Sequence, residues 1–570
     1  MKTRQLLALL LSMALLAGTI TGCGSAFRKE ESAAGAEVIE DSAAAEEAPM
    51  TGDSYWEAAP AEEGNSWEAT ADIALYDSEG ESYLESAYDY TYEENTEEYG
   101  KVIEQRFMDV LKQPLSTFAA DVDTASYSNM RRMIEDGYRM EEFPDGSIRI
   151  EELLNYFTYD YQGPKGGEPF GVNTAISPCP WNRDSQLMMI GLQTQGIDFS
   201  DAPASNLVFL IDVSGSMYDS DKLPLLQEAF CMLAENLSAK DRVSIVTYAG
   251  SDEIIIEGVR GDKTKVITKA IESLEASGST NGSDGIKTAY ALAEDYYIKG
   301  GNNRVILATD GDLNVGLTTE DELEELITEK KESGVFLSVL GFGTGNIKDN
   351  NMETLADKGN GNYSYIDSTK EARKVLVDEL GANLLTICKD VKLQVEFNPE
   401  IVESYRLIGY NNRIMDRRDF DDDTKDGGEI GAGHSVTALY EIIFKDSITE
   451  LDEDEIENLK YSDSFQSELA GQGYASMDPE NEWLTINIRF KKPTANTSSL
   501  LTYPVTAKSF TLDPNDDYLF AAAVAEFGLI ASNSSYQGDA DLGRVVKTLK
   551  SLDLNDEYKE EFYELVQEVK

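Results

Sequence analysis

At 570 residues the chain exceeds what one hydrophobic core organises, so two or three folded units are expected. Its 106 Asp and Glu against 48 Lys and Arg give a formal net charge of -58, which argues against nucleic-acid binding and for a surface that accumulates cations. A single histidine, His434, excludes a His-rich zinc site and a paired-histidine acid–base mechanism.

The chain opens with Lys2 and Arg4, an apolar stretch over residues 6–17, and then Ile20-Thr21-Gly22-Cys23. These are the basic, apolar and small-residue regions of a secretory signal, and the apolar part is short for a membrane span. Its end resembles the lipobox of bacterial lipoproteins. That resemblance implies cleavage after residue 22, lipidation of Cys23, and an exported protein anchored to the cell membrane outside the cytoplasm. From residue 23 to 100 the sequence is rich in Glu, Ala, Ser and Tyr, with no Lys or Arg after Lys29. Apolar burial cannot offset the ordering of such a segment, so it is expected to be a disordered tether. As a flexible coil its about 75 residues span on the order of 50 Å.

Residues 101–198 are expected to form a smaller α+β module. Helical stretches are predicted near residues 129–136 and 149–157, and strands over 170–177 and 186–193. Within it, Asp121-Val122-Asp123-Thr124 mimics part of the Asp-x-Asp-x-Thr of haloacid-dehalogenase-type phosphatases, in which the first carboxylate is a nucleophile and the second an acid or base. Thr124 comes one position too early for that pattern, and Phe118-Ala119-Ala120 is a poor version of the apolar strand that should precede it. A phosphatase using Asp121 and Asp123 is therefore an alternative, and the chain is expected not to be an enzyme.

The central domain, residues 204–383, carries the chemistry. Leu207-Val208-Phe209-Leu210-Ile211 is an apolar run that suits a central parallel strand covered on both faces. It delivers Asp212-Val213-Ser214-Gly215-Ser216, a carboxylate and two hydroxyls crowded at one turn, hard ligands suited to Mg²⁺ or Mn²⁺. A helix follows, with Leu223, Leu226, Phe230 and Leu233 at core spacing. Strands are predicted over residues 242–248 and 253–257 and a helix over 264–276. Next comes the loop Ser277-Gly278-Ser279-Thr280-Asn281-Gly282, opening a helix over about 284–298. The strand Val305-Ile306-Leu307-Ala308-Thr309 ends in Asp310-Gly311-Asp312, and a helix over 320–332, a strand over 335–340 and a helix from about 370 complete the domain. This alternation predicts a doubly wound, mostly parallel α/β sheet whose three polar loops meet outside the carboxyl ends of the strands.

Asp-x-Ser-x-Ser, then Thr in a Gly-rich loop, then Thr-Asp-Gly resembles the metal-ion-dependent adhesion site of von Willebrand factor type A (vWA) domains. The resemblance implies metal-ligand roles for Asp212, Ser214, Ser216, Thr280 and Asp310. Asp312 matches no ligand position and is expected to be a solvated loop residue. In that family the remaining metal position is taken by an Asp or Glu of the bound protein, so a protein partner offering a carboxylate is implied. An envelope scaffold whose metal is purely structural is the other alternative.

Past residue 384 the pattern turns to alternation, with strands predicted over 391–397, 436–444 and 483–490, then helices over 518–531, 542–552 and 557–569. A C-terminal β-sandwich followed by helices is expected. His434 falls in an apparent turn, where a structural role is expected, and the Asp- and Gly-rich stretch 419–429 lacks the spacing of an EF-hand loop. Residues 116–124 with 151–157, and 431–441 with 520–528, resemble the regions that flank the type A domain in a family of bacterial lipoproteins. Cys179, Cys231 and Cys388 are an odd set that cannot complete a disulfide framework, although an exported location would permit one bond, and Cys231 is expected to be a small apolar residue in its helix.

Overall fold

The computed structural model describes residues 96–196, 202–278, 282–311, 320–445, 482–493 and 495–569. The signal segment, Cys23 and nearly all of the tether lie outside them.

The N-terminal stretch supplies strands β1 (Met108–Asp109), β2 (Leu115–Ala119), β3 (Phe170–Pro178) and β4 (Gln186–Thr194), with helices α1 (Ala125–Glu135) and α2 (Ile150–Asn155) between them. In the central domain follow β5 (Ser205–Asp212), α3 (Leu223–Glu235), β6 (Arg242–Ala249), β7 (Ser251–Arg260), α4 (Thr264–Glu272), α5 (Gly282–Asp295), β8 (Asn302–Thr309) and α6 (Glu320–Glu332). It ends with β9 (Phe336–Phe342), α7 (Asp349–Lys358), β10 (Tyr363–Ile366), α8 (Thr369–Arg373) and α9 (Leu380–Leu384).

The central sheet runs β10-β9-β8-β5-β6-β7, parallel except for β7 at one edge. Its strands are apolar at successive positions because both faces are covered. Leu207, Phe209 and Ile211 pack toward α3 and α4, while Val208 and Leu210 pack toward α5 and α7. All five are fully buried, each stabilising the fold by about 1.5–3 kcal/mol relative to exposure. From β5 the chain winds outward through β6 to β7, then returns to β8 on the other side of β5 and continues through β9 to β10. The crevice between the ends of β5 and β8 is thus the topological switch point, where α/β sheets place their ligands.

The C-terminal stretch adds β11 (Thr386–Phe397), β12 (Val402–Ile408), β13 (Gly428–Gly431), β14 (Ser435–Phe444), β15 (Glu482–Lys491) and β16 (Ser499–Thr506). Helices α10 (Asp516–Ala531), α11 (Leu542–Ser551) and α12 (Glu557–Glu568) complete the chain. The stretches 101–198 and 384–570, expected as separate modules, interleave. One sheet is β1-β12-β14-β4-β3, and the other is β13-β11-β15-β16 with β2 paired to β11. Alternation along β4 and β14 shows how the layers stack. Met188, Ile190, Leu192, Val436, Ala438, Tyr440 and Ile442 face the sandwich core, whereas Leu187, Met189 and Leu439 face a helical core built by α1, α2, α10, α11 and α12. The central domain is inserted between β4 and β11 of this composite body.

Several elements escape the sequence pattern. β12 carries Arg406 inward, where it is buried against Glu441, so its charges hide a core strand. Pro504 sits in β16, at the edge of its sheet, where a missing N–H is tolerated. The strand β10 is only four residues long, and α7 precedes it in a stretch rich in Asp and Asn.

Candidate metal centre

Asp212 is the last residue of β5 and is fully buried. Its Oδ1 accepts the backbone N–H of Ser214 at 2.8 Å, and its Oδ2 accepts the Thr309 hydroxyl at 3.2 Å. Burial pushes its carboxyl up to about 6, and the neighbouring Asp310 adds to the effect. The backbone then turns into a short 3₁₀ segment, Gly215–Tyr218, with the Ser214 and Ser216 hydroxyls 2.9 Å apart. Ser214 is buried and Ser216 exposed, so the pair runs from the floor of the crevice to its mouth.

Asp310 follows β8 and is fully buried beside Asp212. Its Oδ2 accepts Lys222 Nζ at 3.1 Å, and its Oδ1 has no hydrogen-bond partner among the described residues. Gly311 at φ +107° carries the chain away; a Cβ there would fall 2.7 Å from the backbone N of Lys348, so only glycine fits the turn. The glycine-rich loop is stitched to the first motif, since Ser277 N–H donates to Val213 O at 2.7 Å and Gly215 N–H to Gly278 O at 3.0 Å. Thr280 and Asp312 lie outside the described residues.

Four of the five predicted metal ligands, Asp212, Ser214, Ser216 and Asp310, therefore gather at the switch point, and all offer oxygen. Among the described residues no group of three or more His, Cys, Asp or Glu side chains converges to hold a metal, so a centre here depends on hydroxyl donors as well as two carboxylates. A buried carboxylate oxygen without a donor is costly unless a cation faces it, and the donor set is hard; both fit Mg²⁺ or Mn²⁺.

Sequence reasoning missed two residues of this site. Thr309 stands in the Thr-Asp-Gly motif itself, and its hydroxyl both donates to Asp212 and accepts the N–H of Gly311 at 3.2 Å. Lys222 lies outside the motif; its one signal is that no other basic residue occurs between Arg183 and Lys240.

The remaining candidates lie elsewhere. Asp121 and Asp123 are buried and share the Arg413 guanidinium, at 3.3 and 3.0 Å. Asp123 also accepts the backbone N–H of Tyr363, so the pair serves the junction with the central domain. His434 is buried in its turn, where burial lowers its pKa, and its backbone carbonyl accepts the N–H of Thr194. Cys179 and Cys388 are buried, Cys231 is partly buried, and all three are free thiols.

A family model described as von Willebrand factor type A domain matches residues 206–379, and one described as von Willebrand factor matches residues 93–189. A third, described as Uncharacterized protein YfbK, C-terminal, matches residues 382–570. Uncharacterized protein YfbK of Escherichia coli (strain K12) is 38% identical over 468 residues, covering 80% of this chain and 78% of that protein. The chain belongs to the YfbK family. Uncharacterized protein sll0103 of Synechocystis sp. is 32% identical over 170 residues, 29% of this chain and 39% of that protein. Among solved structures, von Willebrand factor type A from Catenulispora acidiphila covers 72% of this chain and 91% of its own, at 13% identity and a TM-score of 0.39. In this YfbK-family chain the type A match contains every predicted metal ligand together with Thr309 and Lys222. The sandwich strands β11 to β16 and helices α10 to α12 fall within the YfbK C-terminal match.

Proposed function

We propose that this YfbK-family chain is a non-enzymatic, exported protein, lipid-anchored at Cys23, whose vWA domain binds a protein partner through a divalent cation, Mg²⁺ or Mn²⁺. The ligands are Asp212, Ser214, Ser216, Thr280 and Asp310. The observation that carries the reading is the buried Asp310 Oδ1, without a donor among the described residues, beside buried Asp212 at the switch point of the sheet. A divalent cation held there supplies an electrophilic centre for a carboxylate of the partner.

The chain's own contribution is positional. Thr309 and the N–H of Ser214 fix the two oxygens of Asp212, and the Gly215–Gly278 bond holds the serine turn against the glycine-rich loop. Five side chains leave room in a six-oxygen shell for one outside oxygen. The mouth of the site, at Ser216, is the exposed end. On a chain of net charge -58, a cation at that mouth removes the repulsion an incoming Asp or Glu would otherwise meet.

The test is capture of envelope proteins by the full-length chain in Mg²⁺ and in chelator, with Asp212→Ala and Thr280→Ala alongside. Proteins retained only by wild type with metal are the expected outcome. Equal capture under all conditions would move the function to the sandwich and helices, as in an envelope scaffold.

A further inference from the structure

Lys222 stands six residues past Ser216, at the start of α3, where Pro224 occupies the first turn. Its side chain is only 8% exposed, and its Nζ lies 3.1 Å from Asp310 Oδ2. The aliphatic stem runs across Gly343, which follows β9 with φ +77°; a Cβ at that position would fall 2.3 Å from Lys222 Cγ. The lysine therefore lies in a channel formed by a missing side chain, with no free volume toward Gly343 into which to swing. Asp310 is divided by this contact. One oxygen is committed to the ammonium, and the other, buried and without a donor among the described residues, is left for a cation.

We infer that Lys222 is a fixed counter-ion of the metal centre, which sets the centre's residual charge and so trades cation affinity for attraction of the partner's carboxylate. This rests on the metal-dependent reading proposed above. Two carboxylates and one ammonium sum to a single negative charge, so a bound divalent cation leaves the centre with one positive charge. Two carboxylates alone would leave it neutral, and the electrostatic pull on a carboxylate would fall to that of a dipole. A unit charge a few ångströms away in a partly dry site alters an ionic equilibrium on the order of tenfold or more. Lys222 is a positioning residue in this scheme: it touches Asp310 and not the partner.

The experiment is a Mn²⁺ titration of the full-length chain, followed by electron paramagnetic resonance of free Mn²⁺, and then an acetate titration of the Mn²⁺-loaded protein. Lys222→Met should bind Mn²⁺ on the order of tenfold more tightly than wild type and acetate more weakly by a similar factor. Lys222→Arg, which keeps the charge, should stay near wild type in both. Equal Mn²⁺ and acetate constants for Lys222→Met and wild type overturn the counter-ion role while leaving the metal reading in place. No Mn²⁺ binding by wild type overturns the metal reading itself, and this inference with it. If Lys222→Met does not fold, Lys222→Gln keeps an N–H donor for Asp310 Oδ2 without the charge and carries the same comparison.

Discussion

Arg149 Nη1 donates to Asp349 Oδ2 at 2.7 Å, joining the residue before α2 to the first turn of α7, 200 positions away in the chain. Both side chains are buried. The same guanidinium binds Glu152 and approaches Glu353 at 3.6 Å, while Arg413 reaches Asp121, Asp123 and Glu353. The vWA domain is thus held to the composite body by buried guanidinium–carboxylate contacts rather than by apolar packing alone. Arg149→Met should destabilise the whole chain by about 3–5 kcal/mol, because it strands buried carboxylates without a cation. A lower urea midpoint at unchanged slope would show it.

Glu151, next in sequence, lies fully buried, and among the described residues no cation pairs with it. Its Oε2 has no hydrogen-bond partner among the described residues, and burial, with nearby Asp121, pushes its carboxyl up to about 7. The folded state therefore holds a proton that the unfolded state releases near its ordinary value of 4.5. Stability from this group is present below about pH 4.5 and is lost as pH rises through about 7. Glu151→Gln removes the titration. Its stability relative to wild type should rise by about 3 kcal/mol between pH 4.5 and pH 8, measured by urea unfolding at both. A difference that does not change with pH would show that Glu151 is ionised in the fold.

Metal should stabilise the protein measurably. At a free Mg²⁺ or Mn²⁺ concentration about 100 times the dissociation constant, the gain is about 2.7 kcal/mol, seen as a higher unfolding temperature. Asp212→Asn keeps the size of the side chain but removes a buried carboxylate, so the metal-induced rise should vanish. The metal-free unfolding temperature should fall little or rise, since that carboxylate is costly to bury.

How much of this was legible in the sequence follows from distance along the chain. Asp212, Ser214 and Ser216 are fixed by one turn, and the strands feeding Asp212 and Asp310 are apolar throughout because both faces are buried; such signals are local. The interleaved sandwich was not legible, because its pairings, such as Phe118 with Leu393 and Gly191 with Thr437, join residues hundreds of positions apart. No periodicity within β2 or β4 names its partner. Arg406 and Glu441 neutralise each other in the interior, a pairing that nothing within β12 announces. The isolation of Lys222 among acidic and apolar residues was legible but its role was not: that role comes from Gly343 and Asp310, on β-strand ends that only the fold brings to it.

Gly343→Ala separates that geometry from charge. The residue has φ +77°, where a Cβ is strained, and its new methyl would overlap the Lys222 stem at Cγ, Cδ and Cε. The strain alone should cost on the order of 1–3 kcal/mol in stability. The overlap forces the lysine out of its channel, and the ammonium leaves Asp310 although no charge has been removed from the sequence. Gly343→Ala should therefore share the tighter Mn²⁺ binding of Lys222→Met, and the double variant should be no tighter than either single one. An unchanged Mn²⁺ constant in a folded Gly343→Ala protein would mean that the stem finds another route to Asp310.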